Sequence, residues 1–268
     1  MFRALASGSS GNAFVLRTEK TTLLIEAGLR LPALRKHLAA EGITLDTLTA
    51  VLISHEHRDH CAAVLDLADQ FNVPILANEE VLRACGLLGR SQAQPIDVGR
   101  PILIGDVEVT SFPVSHDAVR PVGFFAQTQG KAVTLATDTG KPTPEMLEAV
   151  GASDLVVLEA NHDVDMLQNG RYPHHLRRRV AGPTGHLSNS QAAAILAKVL
   201  KSADVDVWLA HLSKENNTSA LALQTVRRTL KSIGLRPRVD VVQRDRPSLR
   251  WTGVPRPQQL SLFGVEGI

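Results

Sequence analysis

Ser54-His55-Glu56-His57-Arg58-Asp59-His60 is the stretch on which the reading of this chain turns. Four ligand-competent side chains, His55, His57, Asp59 and His60, fall within six residues, directly after the apolar run Val51-Leu52-Ile53. A strand that stops abruptly carries the following loop out of the sheet edge, where it can wrap round an ion. Imidazoles and carboxylates at this density repel one another or compete for solvent unless a cation is present. With one, they become ligands for borderline or hard divalent metals. A solvated, histidine-rich turn is the bland alternative.

Working outward, the whole chain has 268 residues, 44% of them hydrophobic, enough to bury a sizeable core in one large domain or two small ones. Twenty-nine basic against 27 acidic residues leave a net charge of +2, which argues against a disordered chain and against a histone-like protein. Mean hydropathy is near zero and no apolar run approaches ~20 residues, so no membrane span or membrane partner is expected. Met1–Ser7 carries no signal-peptide core, and two cysteines, Cys61 and Cys85, make no disulfide framework. A cytoplasmic location is the expectation. Ten histidines permit a metal site or a proton relay. Aromatics at 4% argue against a base-stacking platform.

Short runs rich in Val, Leu and Ile predict strands at Thr22–Ile25, Ala50–Ile53, Val107–Phe112, Ala132–Ala136, Leu155–Leu158 and Val205–Ala210. Helical patterns cover Pro32–Glu41, Cys61–Gln70, Pro144–Val150, Asn189–Leu200 and Ser219–Ile233. Thr143 suits an N-cap before Pro144, and Gly234 suits a C-terminal stop. The alternation predicts an α/β fold. The domain is expected over residues 1–250, followed by an irregular, Pro-containing tail over 251–268.

The spacing at 55–60 resembles the His-x-His-x-Asp-His motif of the metallo-β-lactamase superfamily. That resemblance implies an αββα sandwich, two mixed β-sheets flanked by helices, and further ligands at downstream strand ends. Ser115-His116-Asp117, Thr137-Asp138-Thr139-Gly140 and Ala210-His211-Leu212 each follow an apolar run. By the resemblance, His55, His57 and His116 hold one metal; Asp59, His60 and His211 hold the second; and Asp138 bridges. Zn, Mn or Fe all suit such a nitrogen and oxygen set. Two departures from the family pattern stand out. Glu26 occupies the end of the early strand, where the superfamily usually has an Asp that supports the ligands, and Cys61-Ala62-Ala63 replaces the usual glycines. Cys61 reads as a small buried filler rather than a ligand.

Two metals bridged by a carboxylate imply hydrolysis, since they lower the pKa of a shared water and stabilise charge on the attacked group. Glu159, ending Leu155-Val156-Val157-Leu158, and His186, in Gly185-His186-Leu187-Ser188-Asn189, form an acid–histidine pair suited to protonating a leaving alkoxide. A similar pair occurs in the RNase Z branch. Asp59 is expected to orient the nucleophile. Ser7-Gly8-Ser9-Ser10-Gly11-Asn12 offers hydroxyls and backbone N–H groups, with Ser7, Ser9, Ser10 and Asn12 as candidate phosphate contacts, or it forms a plain hairpin turn. Together with Ser115-His116-Asp117-Ala118, Gly185-His186-Leu187-Ser188-Asn189 and His211-Leu212-Ser213-Lys214-Glu215-Asn216-Asn217, this set is similar to the YycJ/WalJ/VicX group, associated with 5′-to-3′ DNA exonuclease activity. Between Asp165 and Asp204 there is no acidic residue, and Arg177, Arg178 and Arg179 lead towards His186 as a basic rim for a DNA strand.

Gln259-Leu260-Ser261-Leu262-Phe263 places three large apolar residues in the tail and resembles the pentapeptide that binds the bacterial sliding clamp. The implied activity is a dimetal exodeoxyribonuclease in replication-linked mismatch repair, nucleoid-associated and recruited to the clamp. A small-molecule hydrolase (a cyclic phosphodiesterase or thioesterase) and a non-catalytic clamp-binding regulator are the competing readings.

Overall fold

Strands buried on both faces need cover on both sides, and this chain supplies it with a second sheet inside and helices outside. The computed structural model describes residues 1–253. The strands are β1 (Phe2–Ala6), β2 (Ala13–Arg17), β3 (Thr22–Ile25), β4 (Ala50–Leu52), β5 (Ile75–Ala77), β6 (Ala93–Pro95), β7 (Pro101–Ile104), β8 (Val107–Pro113), β9 (Val122–Thr128), β10 (Lys131–Ala136), β11 (Leu155–Glu159), β12 (Asp206–Ala210), β13 (Arg238–Val241) and β14 (Arg250–Trp251). The helices are α1 (Leu31–Ala40), α2 (Arg58–Cys61), α3 (Val64–Phe71), α4 (Glu79–Ala84), α5 (Pro144–Gly151), α6 (Val164–Asn169), α7 (His174–Val180), α8 (Asn189–Val199) and α9 (Ser219–Ser232).

One sheet has the order β14-β1-β2-β3-β4-β5-β6, the other β13-β12-β11-β10-β9-β8-β7. Both are mixed: β3 to β6 run parallel and β14 to β3 antiparallel, while β10 to β13 run parallel and β7 to β10 antiparallel. Period-2 alternation divides each strand between two cores. In β11, Leu155 and Val157 face the layer between the sheets with Phe2, Phe14, Phe124 and Trp208. Val156 and Leu158 face the layer with residues of α5, α8 and α9. A third layer lies on the outer face of the first sheet, where Leu34, Leu38, Leu67 and Leu82 of the helices meet Leu24 and Val51. The architecture is the expected αββα sandwich. No helix among the described residues is long and apolar enough to cross a membrane.

All six expected strands are present. Thr143 caps α5 by accepting from Met146 N, and Gly234, at φ +82°, follows the end of α9. The helix expected over 61–70 is two helices. Ala63 leaves helical geometry and donates its N–H to Ala27 O at 2.9 Å, so the chain turns against the early strand before α3 begins. The expected boundary at 250 falls inside β14, where Trp251 pairs with Phe2. The clamp-like residues Gln259, Leu260, Ser261, Leu262 and Phe263 lie outside the described residues.

Candidate metal centre

The site forms along the C-terminal ends of the strands, where the parallel ladders of both sheets stop. Glu26 follows β3, the 55–60 loop follows β4, His116 follows β8, Asp138 follows β10, Glu159 ends β11 and His211 follows β12. Three of these residues, Glu26 (φ 67°), Asp138 (φ 57°) and His211 (φ 54°), are left-handed without being glycine. Each such residue costs about 1–2 kcal/mol, which the surrounding bonds must offset. The loops lock together closely. Gly28 is needed for space, since a Cβ there would lie 1.7 Å from Asp59 O. Asn12 N donates to Asp59 O at 2.8 Å, and Ala27 N donates to His60 O at 2.8 Å.

Four imidazoles are held from behind through Nδ1. That of His55 pairs with Ser54 Oγ at 2.8 Å, that of His116 with Gly185 O at 3.1 Å, and that of His211 with Glu159 Oε1 at 2.9 Å. His60 Nδ1 lies 3.3 Å from Glu26 Oε2. Glu26 thus supports His60 from the position the family usually gives to Asp. This bracing leaves the Nε2 atoms facing inward. His60 Nε2 stands 3.0 Å from Asp138 Oδ2, and His116 Nε2 stands 3.7 Å from Asp138 Oδ1. His211 Nε2 is 3.5 Å from Asp59 Oδ2, and His211 Nδ1 is 3.4 Å from Asp138 Oδ1.

The donor atoms of His55, His57 and His116 lie within 4.8 Å of one another, as do those of Asp59, His60 and His211, and those of His55, His60 and Asp138. His55 Nε2 and His211 Nε2 are buried and make no hydrogen bond among the described residues. Buried polar atoms without partners are costly, so the donor set fits divalent cations placed among these atoms. Glu159 and His186 also group with Asp138 and His211. His211 Nδ1, however, is committed to Glu159, which makes Nε2 its free donor and Glu159 a support.

The electrostatics follow from burial and crowding. Burial and the neighbouring His60 charge push the His55 imidazole well below its usual range, leaving it neutral. Burial acts the same way on His116. Burial would also lower His211, but the Asp138 carboxylate, the neighbouring Asp59 and the hydrogen bond to Glu159 outweigh it and lift His211 to about 10. Glu159 is fully buried, which would raise it; the His186 charge and the hydrogen bonds of His186 and His211 hold it at about 2. Asp138 is likewise held well below the usual carboxylate range against its burial, chiefly by His211 and His60. His186 Nδ1 lies 2.8 Å from Glu159 Oε1, and that pairing raises His186 despite its burial.

The remaining expected residues divide. Ser7 and Asn12 are fully buried and committed internally: Ser7 Oγ accepts from His211 N at 3.0 Å and donates to Asn12 Oδ1 at 2.9 Å. Asn12 Nδ2 donates to Asp59 O at 3.2 Å and lies 3.0 Å from His60 Nε2. These two brace His211 and the loop that carries Asp59 and His60, whereas Ser9 and Ser10 are exposed. On α7, Arg179 Nε reaches Asp117 Oδ2 at 2.6 Å, beside His116; Arg178 is exposed; Arg177 donates to Gln168 O. Cys61 is half-buried, its thiol 3.0 Å from Glu56 O. His162 is buried and pushed down to about 4, outside the donor set. Sequence reasoning missed the braces Ser54, Gly185 and Asn161, whose amide donates to His211 O at 2.9 Å. Only Ser54 had a signal, its place next to the motif.

Residues 21–207 match the family model for the β-lactamase superfamily domain. The chain is 38% identical to exodeoxyribonuclease WalJ of Streptococcus pneumoniae over 245 residues, covering 89% of this chain and 91% of that one. It is 35% identical to exodeoxyribonuclease YycJ of Bacillus anthracis over 237 residues, covering 87% and 90%. The metallo-β-lactamase fold protein YhfI of Bacillus subtilis superposes with a TM-score of 0.69 at 15% identity, covering 92% of this chain and 98% of that one, a likeness of fold. With its histidine and aspartate cluster at the strand ends and this match over most of its length, the chain belongs to the metallo-β-lactamase superfamily of metal-dependent hydrolases.

Proposed function

We propose that the protein is a dimetal 5′-to-3′ exodeoxyribonuclease acting in replication-linked mismatch repair. The observation that carries this reading is the pairing of two three-donor groups around Asp138 with a hydrogen-bonded His186–Glu159 pair that also braces His211. The names of the relatives with which the chain aligns almost throughout support DNA as the substrate. The polarity follows the group that the sequence resembles.

His55, His57 and His116 would hold one ion, Asp59, His60 and His211 the other, with Asp138 shared. Zn, Mn or Fe in this set supplies a nucleophile at neutral pH and stabilises charge on the attacked phosphate. Asp59 stands beside His60 and His211, where it orients the attacking group. His186 has its Nδ1 committed to Glu159, and its Nε2 meets no protein partner among the described residues. Nε2–H is therefore the atom that delivers a proton to the leaving oxygen, and the Glu159 carboxylate raises His186 above its usual range, which favours the protonated form. Arg178 and Arg179 guide the polyanionic strand across α7. The DNA substrate and the two free cysteines support a cytoplasmic, nucleoid-associated location.

The test is degradation of end-labelled duplex and single-stranded DNA with Mn or Zn, beside His57→Ala and Asp138→Ala and with metal content measured. Loss of activity in both variants is expected. Turnover of a small diester with no DNA degradation under any metal would instead favour the small-molecule hydrolase. Recruitment to the sliding clamp is the second part of the proposal and rests on residues 259–263. Deleting them should abolish retention on immobilised clamp. Retention by the truncated chain would sink that part.

A further inference from the structure

Arg244 lies just past β13, one strand beyond His211 in the sheet, a lateral step of ~4.8 Å. Its guanidinium is fixed by the chain that follows His211: Nε donates to Leu212 O at 3.1 Å and Nη2 to Ser213 O at 2.6 Å. Its Nη1 has no acceptor among the described residues. Its side-chain methylenes pack on the loop after β1, where a Cβ on Gly8 would lie 3.3 Å from Arg244 Cγ. That loop presents the exposed Ser9 and Ser10, whose backbone N–H groups donate to no protein atom among the described residues. Gly8 and Gly11 hold it open at φ +154° and +147°, and Gly8 N is tied to Asn12 Oδ1 at 3.0 Å. Lys214 is exposed on the same segment that clamps Arg244. Asp245, next to Arg244, and Glu215, next to Lys214, are exposed, Asp240 pairs with Arg238, and none of them makes an ion pair with Arg244 among the described residues.

A guanidinium held rigid by two carbonyls, with one N–H edge free and its methylenes packed against the loop that carries two unpaired amides and two hydroxyls, suits the oxygens of a phosphate. Holding it rigid also lowers the entropy lost on binding. We propose that Arg244, Ser9 and Ser10 bind the terminal 5′-phosphate of the DNA strand beside the metal centre. The pocket fixes which diester bond lies over the metals, so the strand is shortened one nucleotide at a time. This rests on the exodeoxyribonuclease reading.

The test uses the full-length, metal-loaded protein on duplexes that differ only in a 5′-phosphate or a 5′-hydroxyl. Wild type should prefer the phosphate by at least tenfold in kcat/KM. R244Q should cut that preference to below twofold, and R244K should fall between, keeping the charge without the two carbonyl bonds. S9A/S10A should also reduce it, which keeps the test valid if R244Q fails to fold. In parallel, 5′-dAMP but not deoxyadenosine should inhibit hydrolysis of bis(p-nitrophenyl) phosphate, and R244Q should relieve that inhibition. Equal rates on both ends by wild type, or an equal loss on both in R244Q, overturns the pocket. If wild type degrades neither duplex yet cleaves the small diester, the exonuclease reading fails. The dAMP arm then decides the pocket: relief by R244Q sustains a phosphate site, and absence of inhibition removes it.

Discussion

Each imidazole at the centre points inward because something stands behind it: Ser54 for His55, Glu26 for His60, Gly185 for His116 and Glu159 for His211. Removing a brace should therefore act on metal binding more than on folding. Glu159→Gln is expected to weaken metal affinity about 10–100-fold, read by competition with a chromophoric chelator. Unchanged affinity would show that His211 needs no orientation. A second prediction concerns pH. His211, lifted from 6.5 to about 10, contributes stability fully below pH 6.5 and loses it as pH rises through about 10. Glu159, depressed from 4.5 to about 2, contributes above pH 4.5 and loses it as pH falls through about 2. The metal-free protein should thus gain most from this pair between pH 4.5 and 6.5. Metal ions displace the protons on such imidazoles, so the gain in Tm on metal loading should grow from about pH 6 to about pH 9. Melting curves of metal-free and loaded protein across that range check the sign.

Elements place these side chains by ending where they do. The loop after β4 stood out because four ligand-competent residues in six follow an apolar run, while His116, Asp138 and His211 were picked out through the superfamily resemblance, which looks for ligands just past other strands. The braces were not. Ser7 meets His211 across 204 positions, and Gly185 meets His116 across 69, so no local pattern encodes either pairing. The same holds for secondary structure. β6 is Ala93-Gln94-Pro95, too short and polar to show alternation, and the break at Ala63 depends on a bond to Ala27 that only the folded chain makes. At this scale Gly28 is the sensitive point. Gly28→Ala drives a Cβ into Asp59 O, so it should destabilise the protein by about 1–3 kcal/mol and lower its metal content. A variant with wild-type Tm and full metal loading would show that the loop yields freely.

Across the whole molecule, two sheets close over one inner core, and the parallel half of each ends at the same rim. A net charge of +2 conceals how the arginines are placed, since α7 carries three of them consecutively and no acid. Their contribution to DNA binding should appear in its salt dependence. R178Q/R179Q should make the plot of log affinity against log salt shallower by about 0.9 for each phosphate no longer neutralised, measured by fluorescence anisotropy under metal-free conditions. An unchanged slope would place the DNA elsewhere. Finally, β14 pairs Trp251 with Phe2, while Ala6, at the other end of β1, leads to Ser7 beside His211. The first residue and the last described ones therefore sit at the pole remote from the catalytic mouth. The protein has a working face and a rear handle: fixing it to a bead through Met1 leaves the mouth turned outward and open to long DNA.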